Sequence, residues 1–245
     1  TYNAAATIMD GGAGNNTLVL NQTIATTVDL TNTLNAVVGG GTAINFENID
    51  GSASTAALTI TGDANANVLK GGVGDDIING GAGADTISGG GGNDSVIYDT
   101  GDVSIDGGAG TDTLVLNGTS SITANLANSN QVTGSALVTG FENIDASAIT
   151  AAVSLTGDAG NNILKGGSAA DTVSGGDGND TITYDALDTS VDGGLGNDTL
   201  VFSGAAAVTS NLASTIDQIS GGGKAINFEN LDASLVTANV NFTGS

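Results

Sequence analysis

The sequence predicts an all-β fold: a right-handed parallel β-roll or β-helix, a solenoid of short strands stacked along one axis. Three observations carry this. Residues 71–97 read GGVGDDIIN, GGAGADTIS and GGGGNDSVI, three nonapeptides with no residue between them. Each opens Gly-Gly, places Asp sixth and an aliphatic residue eighth. The composition agrees: 40 Gly among 245 residues, 39% hydrophobic residues, no Pro and no Cys, so the chain is neither an acidic disordered tail nor a disulfide framework. A fixed short period means that each unit packs on its neighbours.

Positions one to six form the turn, where glycines permit positive φ and let carbonyls point inward without an obstructing Cβ. Positions seven to nine form a short strand whose eighth side chain faces opposite to the seventh and ninth. Two nonapeptides make one coil, so turns 18 residues apart stack. Asp76 lies under Asp94 and Asp94 under Asp112, with Asn67 under Asp85 on the other side. In the third tract Asn162 lies under Asp180 and Asp180 under Asp198. Unscreened carboxylates at the strand spacing of about 4.8 Å repel by about 3.5 kcal/mol per pair at an effective dielectric of 20. A cage of carboxylate and carbonyl oxygens suits Ca²⁺, whereas Zn²⁺ would want the Cys or His that this chain lacks.

Taken in order, nonapeptides fill tracts 2–19, 62–115 and 157–201. The eighth positions are Met9, Leu18, Leu69, Ile78, Ile87, Val96, Ile105, Leu114, Leu164, Val173, Ile182, Val191 and Leu200, which we read as the inward core. Three units are degenerate, YNAAATIMD from Tyr2, YDTGDVSID from Tyr98 and YDALDTSVD from Tyr184; they keep the strand and lose the glycine turn. Their tyrosines are expected to pack over that coil. Segments 20–61, 116–156 and 202–245 repeat a second motif, INFENID, TGFENID and INFENLD, which carries Phe46, Phe141 and Phe228 and every Glu of the chain, Glu47, Glu142 and Glu229. These segments are expected to be further β-coils with longer, irregular turns that bind less calcium. A short helix within 122–129 or 208–216 stays open. The FEN glutamates read as structural turns or caps, with a further calcium ligand as the alternative. We read residues 1–245 as one continuous solenoid, a fragment of a longer protein.

The formal charge is −23, with only Lys70, Lys165 and Lys224 as cations. Self-repulsion of this size opposes a compact chain. It excludes nucleic acid as a partner, because no basic patch could replace counterions. One divalent ion at each of the five Asp/Asp and Asn/Asp pairings would cancel ten of these 23 charges. No apolar run reaches transmembrane length and no signal peptide is visible.

The nonapeptides resemble the RTX (repeats-in-toxin) superfamily of Gram-negative secreted proteins. Their alternation with FEN segments resembles the large calcium-dependent S-layer and surface proteins of Proteobacteria. The resemblance implies export by a type I system as an unfolded chain, and folding in extracellular calcium. It also implies metal binding through sixth-position Asp and backbone carbonyls. Carried over, the ligands are Asp76, Asp85, Asp94, Asp112, Asp171, Asp180 and Asp198, with Asn16, Asn67 and Asn162 as neutral, weaker ligands. Val103 and Thr189 hold the sixth position in two tyrosine units, so the sites stacked on them are expected to be incomplete. The family's C-terminal secretion signal is not visible.

No His, Cys or Arg is present, which removes a catalytic triad, a zinc hydrolase and a thiol nucleophile. Paired carboxylates could serve glycoside hydrolysis, but here they recur at every turn. Thr and Ser at position seven read as outward strand residues rather than an ice-binding face. The expected function is therefore structural and not enzymatic. It is a calcium-dependent module of a secreted cell-surface protein, an S-layer or similar assembly forming a homo-oligomeric lattice or fibre, with any cell-surface polysaccharide anchor outside this sequence. The alternatives are the export and folding region of a secreted enzyme or toxin, or an adhesin stalk.

Overall fold

The computed structural model describes residues 8–38, 41–134, 136–203, 208–220 and 222–244. It contains short β-strands and, among the described residues, no helix. Two compact units are present, Thr1–Val115 with Gly134–Phe141, and Leu116–Thr133 with Glu142–Ser245. Tyr2, assigned to the first degenerate unit, lies outside the described residues.

Strands pair in parallel one coil apart, with the register that the nonapeptide period requires. In the first unit Leu69, Ile87, Ile105 and Val138 form one column. Ile60, Ile78 and Val96 form the opposing one. In the second unit the columns are Leu155, Val173 and Val191, and Leu164, Ile182 and Leu200. All eighth-position residues from Leu18 to Leu200 are at most 1% exposed; Met9, on a strand whose column ends after one partner, is half-buried. Each fully buried Leu or Ile contributes about 1.5–3 kcal/mol. A nonapeptide has one such residue, so the core is a narrow seam between two sheets.

The FEN segments do more than continue the coils. The coil from Thr17–Val19 to its partner Asn48–Asp50 holds three stacked strands, Thr26–Asp29, Thr42–Ile44 and Asn48–Asp50, with Val37–Val38 beside them, where a nonapeptide coil has two. In the first unit Thr42–Ile44 stacks on Ile8–Asp10, and Asn48–Asp50 on Thr17–Val19, while Thr26–Asp29 starts a new column beneath Leu58–Thr61. The column Ile8–Asp10, Thr42–Ile44 stops there, the middle one runs on into Val68–Lys70, and the new one runs on into Ile77–Asn79. In the second unit Lys224–Ile226 closes the column of Ser190–Leu195, Asn230–Asp232 extends that of Thr199–Phe202, and Val208–Asn211 with Val240–Thr243 opens another. A FEN segment thus exchanges one sheet of the roll for a new one. The closing strand ends on a left-handed residue, Asn45 (φ 57°), Gly140 (φ 74°) or Asn227 (φ 58°), a conformation that Asn and Gly adopt at least cost.

From the new column a hairpin leaves the stack: Thr26–Asp29 pairs antiparallel with Val37–Val38, and Val208–Asn211 with Ile219–Ser220. A bridge between Ala124 and Val132 marks the equivalent place in the middle segment. The two stretches where a helix stayed open therefore hold strands, Thr123–Asn125 and Val208–Asn211. Tyr98 and Tyr184 are buried, 3% and 2% exposed. Tyr184 meets Phe202 edge-on at 5.8 Å and donates its hydroxyl to the Gly223 carbonyl at 3.1 Å.

The narrow seam makes a sharp expectation. Ile87→Asp places an unpaired carboxylate between Leu69 and Ile105 and should abolish folding of its tract. Ile87→Val should cost only about 0.5–1.5 kcal/mol. Circular dichroism in calcium checks both; an unchanged spectrum for Ile87→Asp means that the eighth position is not the core.

Candidate metal sites in the stacked turns

The seven sixth-position aspartates are at most 1% exposed. They form columns because each accepts, through Oδ1, the backbone N–H of the residue 18 positions earlier. In the first unit Leu58 donates to Asp76 at 2.6 Å, Asp76 to Asp94 at 2.8 Å, Asp94 to Asp112 at 2.7 Å, and across the roll Asn67 to Asp85 at 2.8 Å. In the second unit Val153 donates to Asp171, Asn162 to Asp180 and Asp180 to Asp198, each at 2.8 Å. All five pairings read from the sequence are therefore present, and each carboxylate is tied to the coil beneath it.

The other oxygen divides the turns into two kinds. At the start of each tract it is occupied: Gly72 N–H donates to Asp76 Oδ2 and Gly167 N–H to Asp171 Oδ2, both at 2.6 Å. Asn67 and Asn162 are held likewise, through Oδ1, by the N–H of Asp63 and Asp158. Their Nδ2 groups donate to the carbonyls of Glu47 and Glu142, so both amides serve the stack at either end. In later turns the second glycine has positive φ, 86° at Gly81, 112° at Gly90, 108° at Gly176 and 100° at Gly194. Oδ2 of Asp85, Asp94, Asp180 and Asp198 is then buried with no hydrogen-bond partner. A Cβ added to Gly89 would lie 2.3 Å from both Asp94 Oδ2 and the Gly107 carbonyl oxygen; one on Gly175 would lie 2.2 Å from Asp180 Oδ2 and the Gly193 oxygen. The first glycine is thus required by a close approach of oxygens from two successive coils.

A buried carboxylate oxygen without a partner carries its full desolvation cost, and burial pushes all seven carboxyls above the usual range. Asp94 is pushed up to about 7 and Asp180 to about 6, chiefly by burial, against the opposing N–H of Asp76 and Asn162. A hard divalent cation relieves this: it supplies positive charge and takes six to eight oxygens, carbonyls included. Among the described residues no three His, Cys, Asp or Glu side chains are placed to hold a metal ion. Backbone carbonyls must therefore complete each site, as the glycine turns allow.

Three features of the turns are not visible in the repeat consensus. The fifth position forms a second, exposed ladder: Asn93 N–H donates to Asp75 Oδ1, Thr111 N–H to Asn93 Oδ1, Asn179 N–H to Asn161 Oδ1 and Asn197 N–H to Asn179 Oδ1, at 2.7–2.9 Å. The FEN residues splice the columns. Glu47 Oε2 accepts from Asn16 N–H at 2.7 Å and Glu229 Oε2 from Asp198 N–H at 2.8 Å, the place that the next Asp would take. Asn48 and Asn143 Oδ1 then accept from Val68 and Ile163, the first strands of the following tracts. The cap reading thus describes Glu47 and Glu229. Asn16, half-buried, ends the first tract beneath that cap. In the tyrosine units Val103 and Thr189 N–H donate to the carbonyls of Asp85 and Asp171, and neither residue brings a carboxylate to the sixth position. The fifth-position Asp102 and Asp188 are buried instead.

Glycine turns stacked one coil apart, with buried carboxylates and carbonyls as their only converging ligands, define a calcium-binding parallel β-solenoid. Comparison with known families agrees: the RTX calcium-binding nonapeptide repeat, in four copies, matches residues 4–21, 61–96, 99–118, 154–186 and 190–202. The chain carries RTX nonapeptide repeats over these residues, and such repeats bind calcium ions in multiple copies. A search of curated proteins finds no match to it.

The raised carboxyls fix the sign of a pH effect. Their folded values lie above the unfolded aspartate value of about 3.9, so the metal-free folded state binds more protons than the unfolded one between about pH 4 and pH 7. Stability of the calcium-free chain should therefore fall as pH rises through that window. Acidification from about pH 7.5 to pH 5 should compact the metal-free chain, and calcium at neutral pH should do the same. Far-UV circular dichroism with hydrodynamic radius checks this; expansion on acidification contradicts it.

Proposed function

We propose that this chain is a calcium-dependent structural module of a secreted cell-surface protein, part of an S-layer or similar extracellular assembly, and not an enzyme. The observation that carries the reading is the set of buried, unpartnered Asp oxygens at Asp85, Asp94, Asp180 and Asp198. They make the folded stack costly without a divalent cation. Such a chain stays expanded where calcium is scarce and can be threaded through an export channel. It folds outside, where extracellular modules work at Kd of roughly 10⁻⁴–10⁻³ M. RTX repeats are typical of secreted bacterial proteins, and no helix among the described residues is long and apolar enough to cross a membrane.

Self-association is supported by the hairpins that leave the stack. Their tips carry Leu34 and Ile216 at equivalent positions, 83% and 77% exposed. Exposed aliphatic side chains at the ends of repeated projections suit contacts between copies better than solvent.

Calcium titration should give a cooperative rise in β-structure and a fall in hydrodynamic radius in the extracellular range. Electron microscopy of the folded protein should then show sheets or fibres. The double variant Leu34→Asp, Ile216→Asp should keep the calcium-driven folding and lose the assembly. A compact β-rich chain in excess chelator at low salt and neutral pH contradicts the switch, and a monodisperse monomer at high calcium contradicts the lattice.

A further inference from the structure

The tyrosine unit at Tyr98 breaks the sixth-position column, since Val103 stands where Asp is expected. It nevertheless puts a carboxylate into the stack. Asp102 is only 3% exposed. Its backbone N–H donates to the Asp99 carbonyl and its Oδ2 accepts from Asp99 N–H at 3.1 Å, so a tight turn from 99 to 102 aims the side chain inward. Its Oδ1 is buried and has no partner. Directly beneath, Asp85 is fully buried, with Oδ1 taken by Asn67 N–H and Oδ2 without a partner. Val103 N–H donates to the Asp85 carbonyl at 2.8 Å, which stacks the 99–102 turn directly on the Asp85 coil. Asp85 Oδ1 and Asp102 Oδ2 are committed, so the two unpartnered oxygens, one on each of these stacked coils, are the ones left to take a ligand.

Two carboxylates can meet in a buried place only around a shared proton or around a cation. The charges acting on this pair from neighbouring elements, Asp63 and Asp99, are also negative. The turn offers further oxygen as well: a Cβ on Gly101 would lie 2.6 Å from the Gly83 carbonyl oxygen, so that carbonyl faces the tyrosine turn. We propose that Asp85 and Asp102, one coil apart, form an additional calcium site outside the nonapeptide consensus, in which a fifth-position Asp replaces the missing sixth. The site rests on the reading that the sixth-position aspartates bind calcium. It fills the gap that Val103 would otherwise leave in the column, so the first unit stays metal-linked through its tyrosine coil.

The second unit supplies an internal control. Asp188 is buried in the same kind of turn, with Oδ2 accepting from Asp185 N–H at 2.8 Å and Oδ1 unpartnered. The aspartate beneath it differs: both oxygens of Asp171 are taken, by Val153 and Gly167 N–H. One free oxygen does not make a pair, and no ion is assigned there.

Calcium bound per chain, measured by equilibrium dialysis at saturating calcium and neutral pH, tests the proposal. Asp102→Asn should bind one ion fewer than the wild type, and Asp188→Asn the same number as the wild type. Equal stoichiometry in all three chains, or an equal loss in both variants, overturns the site. A measurement without substitution covers the case in which Asp102→Asn fails to fold. Terbium(III) takes the same oxygen ligands, and anomalous diffraction from wild-type crystals grown with it should place an ion between Asp85 and Asp102. Terbium in the consensus turns and none at this pair overturns the proposal alone. No ion bound anywhere instead overturns the calcium reading of the consensus turns on which it rests.

Discussion

Like charges repeated at the spacing of adjacent strands are the constraint from which the rest of the structure follows. The sixth-position carboxylates cannot move apart, because each accepts the backbone N–H of the coil beneath it. Cannot is a statement about geometry: separating Asp94 from Asp76 by any useful distance breaks the 2.8 Å bond between Asp76 N–H and Asp94 Oδ1. They cannot move into water either, since the next coil covers them. Backbone pairing, side-chain burial and charge are therefore one equilibrium. Neutralising a carboxylate, by proton or by cation, stabilises the hydrogen bonds of two coils at once, and losing one loosens two. The aliphatic seam, with one large residue per nonapeptide, is too thin to decide the matter alone.

The sequence made legible whatever repeats with an unbroken period. Leu69, Ile87 and Ile105 stand in one column because nine residues give each strand the same phase. Asp76, Asp94 and Asp112 stack for the same reason. What escaped is whatever depends on a change of phase. Asp102 and Asp188 sit one position early, and a reading anchored on the sixth position sees Val103 and Thr189 and registers a gap. The 99–102 and 185–188 turns, closed on their own backbone, correct that offset, and nothing in the residue types alone announces it. The fifth-position Asn ladder was in plain view but looks like turn chemistry, because Asn favours turns whether or not its side chain reaches the next coil.

The FEN segments are the harder case. Glu47 and Asn16 are 31 residues apart, as are Glu229 and Asp198, a separation unrelated to the 18-residue coil. The extra length is the third strand and its hairpin. Short alternating runs predicted strands there, and strands are present. Whether a strand extends an old column or starts a new one is set by the geometry of the closing turn at Asn45 or Asn227, which local propensity does not encode. The glutamate became intelligible once its partner was known: a longer side chain reaches the amide that an Asp would otherwise satisfy.

The exchange of sheets at a FEN segment also has a mechanical meaning. Within a tract, a pull along the stacking axis is shared by two columns of hydrogen bonds that must yield together. In the first FEN segment one column ends at Thr42–Ile44 and another begins at Thr26–Asp29, and only the middle one, from Thr17–Val19 through Asn48–Asp50 to Val68–Lys70, is continuous across it. Two strand pairs face each side of the segment, but load on the ending column must pass to the new one through the connecting chain, and Glu47 rather than Asp holds the Asn16 amide there. Under tension the chain would give way first at its FEN segments, one at a time, while the nonapeptide tracts between them stay closed. Extension by such steps dissipates force without unfolding the metal-bound stacks, and the segments can re-form when the load is released.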